Sequence, residues 1–327
     1  MKKRILSGMR PTGKLHLGHL VGALNNWVKL QEQYECFYMV ADWHALMSEY
    51  ENPKDLAANS FEVARDFIAS GIDPDRSVIF IQSHVPEHLE LAMIFSDLTP
   101  LEWVERCPTY KEQLRELKGR ELTTYGFLGY PVLQASDIAV YKANGVPVGI
   151  DQVPHLELTR EIIRRFNTLY KRGVFPEPEA ILTKTPKLLG LDNRKMSKSY
   201  DNYIALSDTP EAIEKKVSLM ITDPARIKLA DKGHPDICNV FSYYSMFASP
   251  ELKRDAKDWC ENARKGCTEC KKIMADILTK HLAPIREKRS SLDRSTIEGI
   301  LKDGARRART VASETMTEVK RILNFVI

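Results

Sequence analysis

A short apolar run, Ile5-Leu6-Ser7, leads straight into Gly8-Met9-Arg10-Pro11-Thr12-Gly13-Lys14-Leu15-His16-Leu17-Gly18-His19, and this junction constrains the fold more than any other stretch. A periodic apolar segment, Leu20 to Val28, follows it. The pattern predicts a strand, a glycine-punctuated loop and an amphipathic helix. Such a strand-to-helix turn belongs to an α/β sheet and presents backbone N–H groups and a positive helix end to an anion. Gly18 has no side chain, so a flat ring can approach the backbone there. His16 and His19, three residues apart, can address one ligand from one helical turn. Two solvated loop histidines give the same local pattern, so a second motif has to decide.

That motif is Lys195-Met196-Ser197-Lys198-Ser199, which follows the charge-rich Gly190-Leu191-Asp192-Asn193-Arg194. Its lysines supply charge and its serines hydrogen bonds, a combination that can clamp a polyphosphate. By itself the run is equally an ordinary basic surface loop.

Between the two motifs, strand patterns alternate with helical ones. Cys36–Asp42, Ser77–Ser83 and Val146–Gln152 read as strands; Pro53–Ser70, Glu87–Leu98, Tyr130–Tyr141 and Leu156–Leu169 read as helices. The alternation predicts a doubly wound parallel sheet, an α/β, Rossmann-like domain. Polar residues collect at the carboxyl ends of these strands, where open α/β sheets bind ligands: Asp42 and His44, then Gly149, Ile150, Asp151 and Gln152. Gly149 admits a ribose or base, and Asp151 can accept from ribose hydroxyls; a plain capping acid is the alternative. Gln134, Asp137 and Tyr141 share one helix face. Asp137, set among small apolar residues, needs either a neighbouring Arg or Lys or a ligand for its carboxylate.

Lys111 to Thr124 is polar and charged, and from Glu211 onward the pattern is helical. The expected division is therefore a catalytic domain over 1–188 and a helical domain over 189–327 that opens with the Lys195 loop. The amphipathic tail Ile300–Phe325 carries Arg306, Arg307, Arg309, Lys320 and Arg321. That face is either solvated or a contact for RNA phosphates.

The 327 residues suffice for two domains with a sizeable core. A net charge of +4 allows an anionic partner without demanding one. No apolar run approaches the ~20 residues that span a bilayer, and the run after Met1-Lys2-Lys3-Arg4 is too short for a signal peptide. A cytoplasmic protein is expected. Four of the six cysteines, Cys238, Cys260, Cys267 and Cys270, share one segment. Lys265, Lys271 and Lys272 flank the Cys-x-x-Cys pair and favour thiolates. Four thiolates suit zinc or a cubane iron–sulfur cluster. His234 keeps a mixed zinc site open, while the gap between Cys260 and Cys267 is unlike two paired Cys-x-x-Cys units.

The two motifs together resemble the signatures of class I aminoacyl-tRNA synthetases. The segments Gly8–Gly13, Tyr130–Asp137, Val146–Gln152, His155–Asn167, Lys195–Ser199, Thr222–Arg226 and Gly304–Arg309 all look like bacterial tryptophanyl-tRNA synthetase. The resemblance implies that tryptophan attacks the α-phosphate of ATP, that pyrophosphate leaves, and that the aminoacyl group passes to tRNA(Trp). It assigns ATP to Arg10, Pro11, Thr12, Gly18 and His19, to Gly149, Ile150 and Asp151, and to Lys195, Met196, Ser197, Lys198 and Ser199. Catalysis falls on His16, His19, Lys195 and Lys198, with Mg2+ beside the phosphates. Tryptophan falls to Asp137, Gln134 and Gln152. A homodimer is implied, as is a 4Fe–4S cluster on the four cysteines, in the domain that meets the anticodon; zinc is the alternative. Gln134 departs from the pattern, because many bacterial members carry Met there and tyrosine-specific relatives often show Gln-x-x-Asp. Asp137 suits an indole N–H, which only donates, but a phenol donates too. A tyrosine–tRNA ligase and a non-catalytic tRNA- or regulator-binding paralogue are the other readings, and the second has no need of a phosphate clamp.

Overall fold

The computed structural model describes residues 2–108, 110, 124–182 and 188–325. The polar stretch expected at 111–124 lies outside the described residues except for Thr124. The chain forms two compact units: Met1–Gly13, Asn25–Lys184 and Asp293–Ile327 make one, Lys14–Leu24 and Thr185–Leu292 the other.

The first unit holds a parallel sheet of β1 (Arg4–Met9), β2 (Glu35–Val40), β3 (Ser77–Ile81), β4 (Gly145–Val148) and β5 (Glu179–Leu182) in the order β3-β2-β1-β4-β5. The order reverses between β1 and β4. That reversal opens a crevice at the carboxyl ends of these two strands, so Arg10-Pro11-Thr12 and Gly149-Ile150-Asp151 stand at one edge of the sheet. Gly8 is required on β1, because a Cβ there would lie 2.7 Å from Met39 Cγ on β2.

Side chains alternate across β2. Phe37 joins a core with Phe80, Ile138, Tyr141 and Phe166, while Tyr38 stacks on Trp27 at 4.7 Å, with Phe67 edge-on to that indole. Each such buried aromatic contributes roughly 1.5–3 kcal/mol. The helices of this unit are α2 (Asn25–Leu30), α3 (Asp42–Glu49), α4 (Leu56–Ala69), α5 (Glu87–Leu98), α6 (Leu101–Glu105), α7 (Tyr125–Val140), α8 (Val153–Leu169) and α13 (Arg294–Ile322). The sequence expects α7 to begin at Tyr130-Pro131. It begins at Tyr125 instead, because Thr124 Oγ1 accepts the Phe127 N–H at 3.2 Å, and Pro131 sits inside the helix.

The C-terminal helix corrects the expected division at 188/189. Residues 294–322 pack in the sheet unit, with Ala308, Ala312, Met316 and Val319 in its core. A Cβ on Gly304 would lie 1.8 Å from the Ile79 carbonyl, so only glycine lets α13 rest on β3. Arg307 donates to the Pro74 carbonyl at 2.8 Å, Arg309 pairs with Glu87 at 3.0 Å and Lys320 with Glu90 at 2.8 Å. These contacts tie the helix to its own unit.

The second unit contains α1 (Leu17–His19), a π-helical turn over Leu20–Leu24, and α9 (Pro210–Ser218), α10 (Asn239–Phe247), α11 (Pro250–Glu261) and α12 (Cys267–Ser291). Thr209 and Ser249 cap α9 and α11 through their hydroxyls. The helix expected after His16 is present and runs from α1 through the π-helical turn into α2, a π-turn being a device common beside functional sites. Among the described residues no helix is long and apolar enough to cross a membrane.

Candidate active site

Asp137 lies on the inner face of α7 and is wholly buried. Among the described residues no Arg or Lys pairs with it. Its partners come instead from the carboxyl ends of β2 and β3 and from α5. His44 Nε2 lies 2.7 Å from Oδ2, His88 Nδ1 2.6 Å from Oδ1, and Gln82 Nε2 donates to Oδ1 at 2.8 Å. Burial pushes the carboxyl up, but His44 and His88 outweigh it and bring it down to about 2. An ionised acceptor therefore stands buried among His44, His88 and Gln82. Sequence patterning found Asp137 and His44; it missed Gln82 and His88, whose only signal was their place just past β3 and at the start of α5.

A second chain of hydrogen bonds runs along the same unit. Tyr130 Oη meets His155 Nε2 at 2.7 Å, His155 Nδ1 meets Gln152 Oε1 at 3.1 Å, and Gln152 Nε2 donates to Asp151 Oδ2 at 3.1 Å. Burial, then the charge of His44, lowers His155 to about 4, so the ring is neutral. Gln152 and Asp151 are thereby oriented from α7. Gly149 keeps this turn narrow, as a Cβ there would lie 2.6 Å from Asp151 Oδ1. Ile150 and Asp151 are exposed, and Gln134 is half-buried one turn before Asp137. Pro11 is buried beyond β1, where the Thr12 N–H turns back to the Arg10 carbonyl at 2.9 Å.

In the second unit the two sequence motifs meet. His16 bridges Ala205, and the Leu17 N–H donates to the Ile204 carbonyl at 3.0 Å. A Cβ on Gly18 would fall 3.0 Å from the His16 ring and 3.5 Å from Met196 Sδ. The His16 and His19 rings lie 3.8 Å apart. Burial first, and Lys198 after it, lowers His16 to about 3; burial, His16 and Lys198 take His19 well below its ordinary value. Both rings are neutral. The His16 N–H donates to His19 Nδ1 at 3.2 Å, so the proton of the neutral His19 ring sits on Nε2, a donor aimed away from the backbone. His16 Nδ1 is buried with no partner among the described residues. Asn202, which sequence reasoning missed, pins the Lys195 loop: its Oδ1 accepts the Ser197 N–H at 2.8 Å, and its amide donates to Asp192 and to the Lys195 carbonyl. Lys195 is exposed and Met196 buried.

Residues 1–283 match the family model described as tRNA synthetases class I (W and Y). The tryptophan–tRNA ligase of Thermotoga maritima is 52% identical over 327 residues, with 99% of each chain covered. This chain belongs to the bacterial tryptophanyl-tRNA synthetases. The tryptophan–tRNA ligase of Aquifex aeolicus is 44% identical over 393 residues, covering 98% of this chain and 99% of the relative. The tryptophanyl-tRNA synthetase of Campylobacter jejuni, solved with ADP and tryptophan, superposes with a TM-score of 0.90 at 32% identity, covering 98% of this chain and 99% of that one.

One expectation for this synthetase is not met as the side chains stand. Among the described residues, no group of three or more His, Cys, Asp or Glu is placed to hold a metal ion. Cys238, Cys260, Cys267 and Cys270 are free and half-buried. Burial raises Cys238, Cys260 and Cys270, the last to about 11, and the other thiols add to the rise. The four sulfurs therefore feel one another electrostatically without converging. Gly233 lets its loop pass Cys260, since a Cβ would lie 2.6 Å from that sulfur. His234 Nδ1 lies 2.8 Å from Asp223 Oδ2, an outer-shell type of pairing that leaves a mixed zinc site open.

Proposed function

We propose that this synthetase forms tryptophanyl-adenylate from L-tryptophan and ATP, then transfers the aminoacyl group to tRNA(Trp), with AMP and pyrophosphate as the other products. The reading rests on the meeting of neutral His16 and His19 with Lys198, which joins two motifs far apart in sequence into one cluster. The chemistry needs no side-chain nucleophile, because the tryptophan carboxylate attacks phosphorus itself. Catalysis is then positioning plus stabilisation of charge on the transferring phosphoryl group. His19 donates from Nε2 to a phosphate oxygen, and the neutral ring does so without repelling Lys198. Lys195 and Lys198 counter the β- and γ-phosphates, while Met196, Ser197, Ser199 and Gly18 shape the nucleotide cradle. Arg10, Pro11, Thr12, Gly149, Ile150 and Asp151 bind the nucleoside part. Mg2+ takes oxygen ligands and is held largely by substrate phosphates; its contribution is charge neutralisation. Asp137 accepts the indole N–H, with Gln134 and Gln152 toward the rest of the amino acid.

ATP–pyrophosphate exchange with each amino acid in turn tests this. Tryptophan should drive exchange, and Lys198→Ala should cut its rate more than it weakens tryptophan binding. Faster exchange with tyrosine would overturn the specificity.

Three further features belong to this reading. The four cysteines take up a 4Fe–4S cluster, with zinc as the alternative; their confinement to one segment and their mutual influence support it. The cluster would brace an anticodon-facing surface and has no part in adenylate formation. The enzyme is a homodimer, in keeping with the exposed apolar side chains of Leu89, Met93, Leu101 and Tyr125 on the sheet unit. It works in the cytoplasm, where its three substrates are made and used.

A further inference from the structure

Gln82, His88 and Tyr141 are fully buried beside Asp137, and the proposed function gives them no part in choosing the amino acid. Burial, then Asp137 and Glu87, pushes the Tyr141 hydroxyl well above its ordinary value, so it stays protonated. Its oxygen lies 2.7 Å from His88 Nε2 and donates there when that ring holds its proton on Nδ1, the nitrogen that faces the acceptor-only carboxylate. An imidazole that accepts at Nε2 carries its proton on Nδ1, and His88 delivers that proton to Asp137 Oδ1 at 2.6 Å. Gln82 donates to the same oxygen at 2.8 Å. Its amide cannot be turned round, since its oxygen would then face a carboxylate. Oδ1 is thus filled. Oδ2 meets His44 at 2.7 Å, and a carboxylate oxygen has about two acceptor positions. One position on Oδ2 remains. Gln82 Oε1 is likewise buried with no partner among the described residues.

We propose that Gln82, His88 and Tyr141 are positioning residues for amino-acid specificity: they commit the donors around Asp137 to its carboxylate and leave acceptors alone to meet the substrate side chain. The inference rests on the reading of Asp137 as the indole-binding residue. An indole N–H is a donor with no lone pair to satisfy, so it completes the open acceptor and asks for nothing more. A phenol oxygen can donate to Oδ2, but its lone pairs then face a carboxylate whose own N–H donors from Gln82 and His88 are aimed at Oδ1. Tyrosine is rejected by that mismatch even where its ring fits, because unmet buried polar groups discriminate more sharply than size does. Tyr141 acts at one remove, by fixing which nitrogen of His88 holds the proton.

The test is ATP–pyrophosphate exchange with tryptophan and with tyrosine, in Tyr141→Phe, Gln82→Met, His88→Gln, His88→Leu and Asp137→Asn enzymes. Tyr141→Phe and Gln82→Met should each raise the tryptophan KM roughly tenfold, more than they lower kcat. They should leave the ATP KM within about twofold and narrow the tryptophan-to-tyrosine ratio of kcat/KM. His88→Gln, which keeps an amide donor, should recover most of what His88→Leu loses. If His88→Leu does not fold, the near-isosteric Tyr141→Phe and Gln82→Met carry the test. Unchanged tryptophan KM and discrimination in those two, with a raised KM in Asp137→Asn, would overturn this inference and leave the Asp137 assignment standing. An Asp137→Asn enzyme with wild-type tryptophan kinetics would remove the assignment itself. Parallel losses in the tryptophan and ATP parameters would mark the trio as structural and also overturn the inference.

Discussion

Three histidines of this enzyme are neutral for the same reason. Burial is the largest cause at His16, His19 and His155, with Lys198 adding to it at the first two and His44 at the third. Their folded values lie below the ~6.5 of a free imidazole. The unfolded chain therefore takes up protons that the folded chain refuses. The resulting stability is complete above about pH 6.5 and is lost as the pH falls toward the folded values. At pH 5 the cost is about 1–2 kcal/mol each at His16 and His155. Asp137 works in the other direction and in another window: its stabilisation is present above about pH 4 and is lost only as the pH falls through about 2. Thermal melts should thus show a Tm that drops between pH 7.5 and 5; a flat Tm over that range would refute the neutral assignments. At this scale the sequence was legible where chemistry is local. Asp137 stood out because it interrupts an apolar run, and His16 and His19 because glycine and spacing frame them. Gln82, His88 and Asn202 were not legible, because each acts on a residue of another segment and leaves no mark on its own neighbourhood.

At the scale of elements, the strands and most helices followed from apolar runs and periodicity. Glu87–Leu98 has the predicted bounds, while α7 starts five residues early because a threonine cap outweighs the proline inside it. The tail shows what periodicity cannot tell. Its amphipathic pattern announced a helix but not the surface it covers, and its arginines read as solvent-facing. Gly304 decides the matter, and a paired substitution on α13 isolates its effect. Gly299→Ala meets nothing within 4 Å, so it should stabilise by up to about 1 kcal/mol through helix propensity. Gly304→Ala gains the same propensity but drives a methyl to 1.8 Å from the Ile79 carbonyl. A net loss of about 1–3 kcal/mol is expected. Equal melting temperatures for the two variants would show that α13 does not rest on β3 in solution.

For the whole molecule, the family resemblance in the sequence extended to activity and fold, and the comparisons bear both out over the full length. Assembly state and metal content belong to a level that one chain's side chains do not display. Native mass spectrometry of anaerobically purified enzyme reads both at once. A dimer mass carrying two increments of four iron and four sulfide is expected, as four-thiolate ligation of a cubane in each chain implies. A monomer at micromolar concentration would overturn the dimer. One zinc per chain would overturn the cluster in favour of the alternative, and a bare polypeptide mass would overturn the shared site.

The return of α13 to the sheet has a consequence for how the molecule comes into being. Residues 185–292 of the second unit lie between strands made early and a helix made late. On the ribosome, β3 and the core beneath it are complete in sequence long before their covering helix emerges. Because domains fold as units and the chain emerges at about 5–20 residues per second, β3 waits on the order of ten seconds or more for this cover, until residue 322 has left the exit tunnel. The intervening segment has that interval in which to fold first. The oldest part of the polypeptide is thus among the last to be finished.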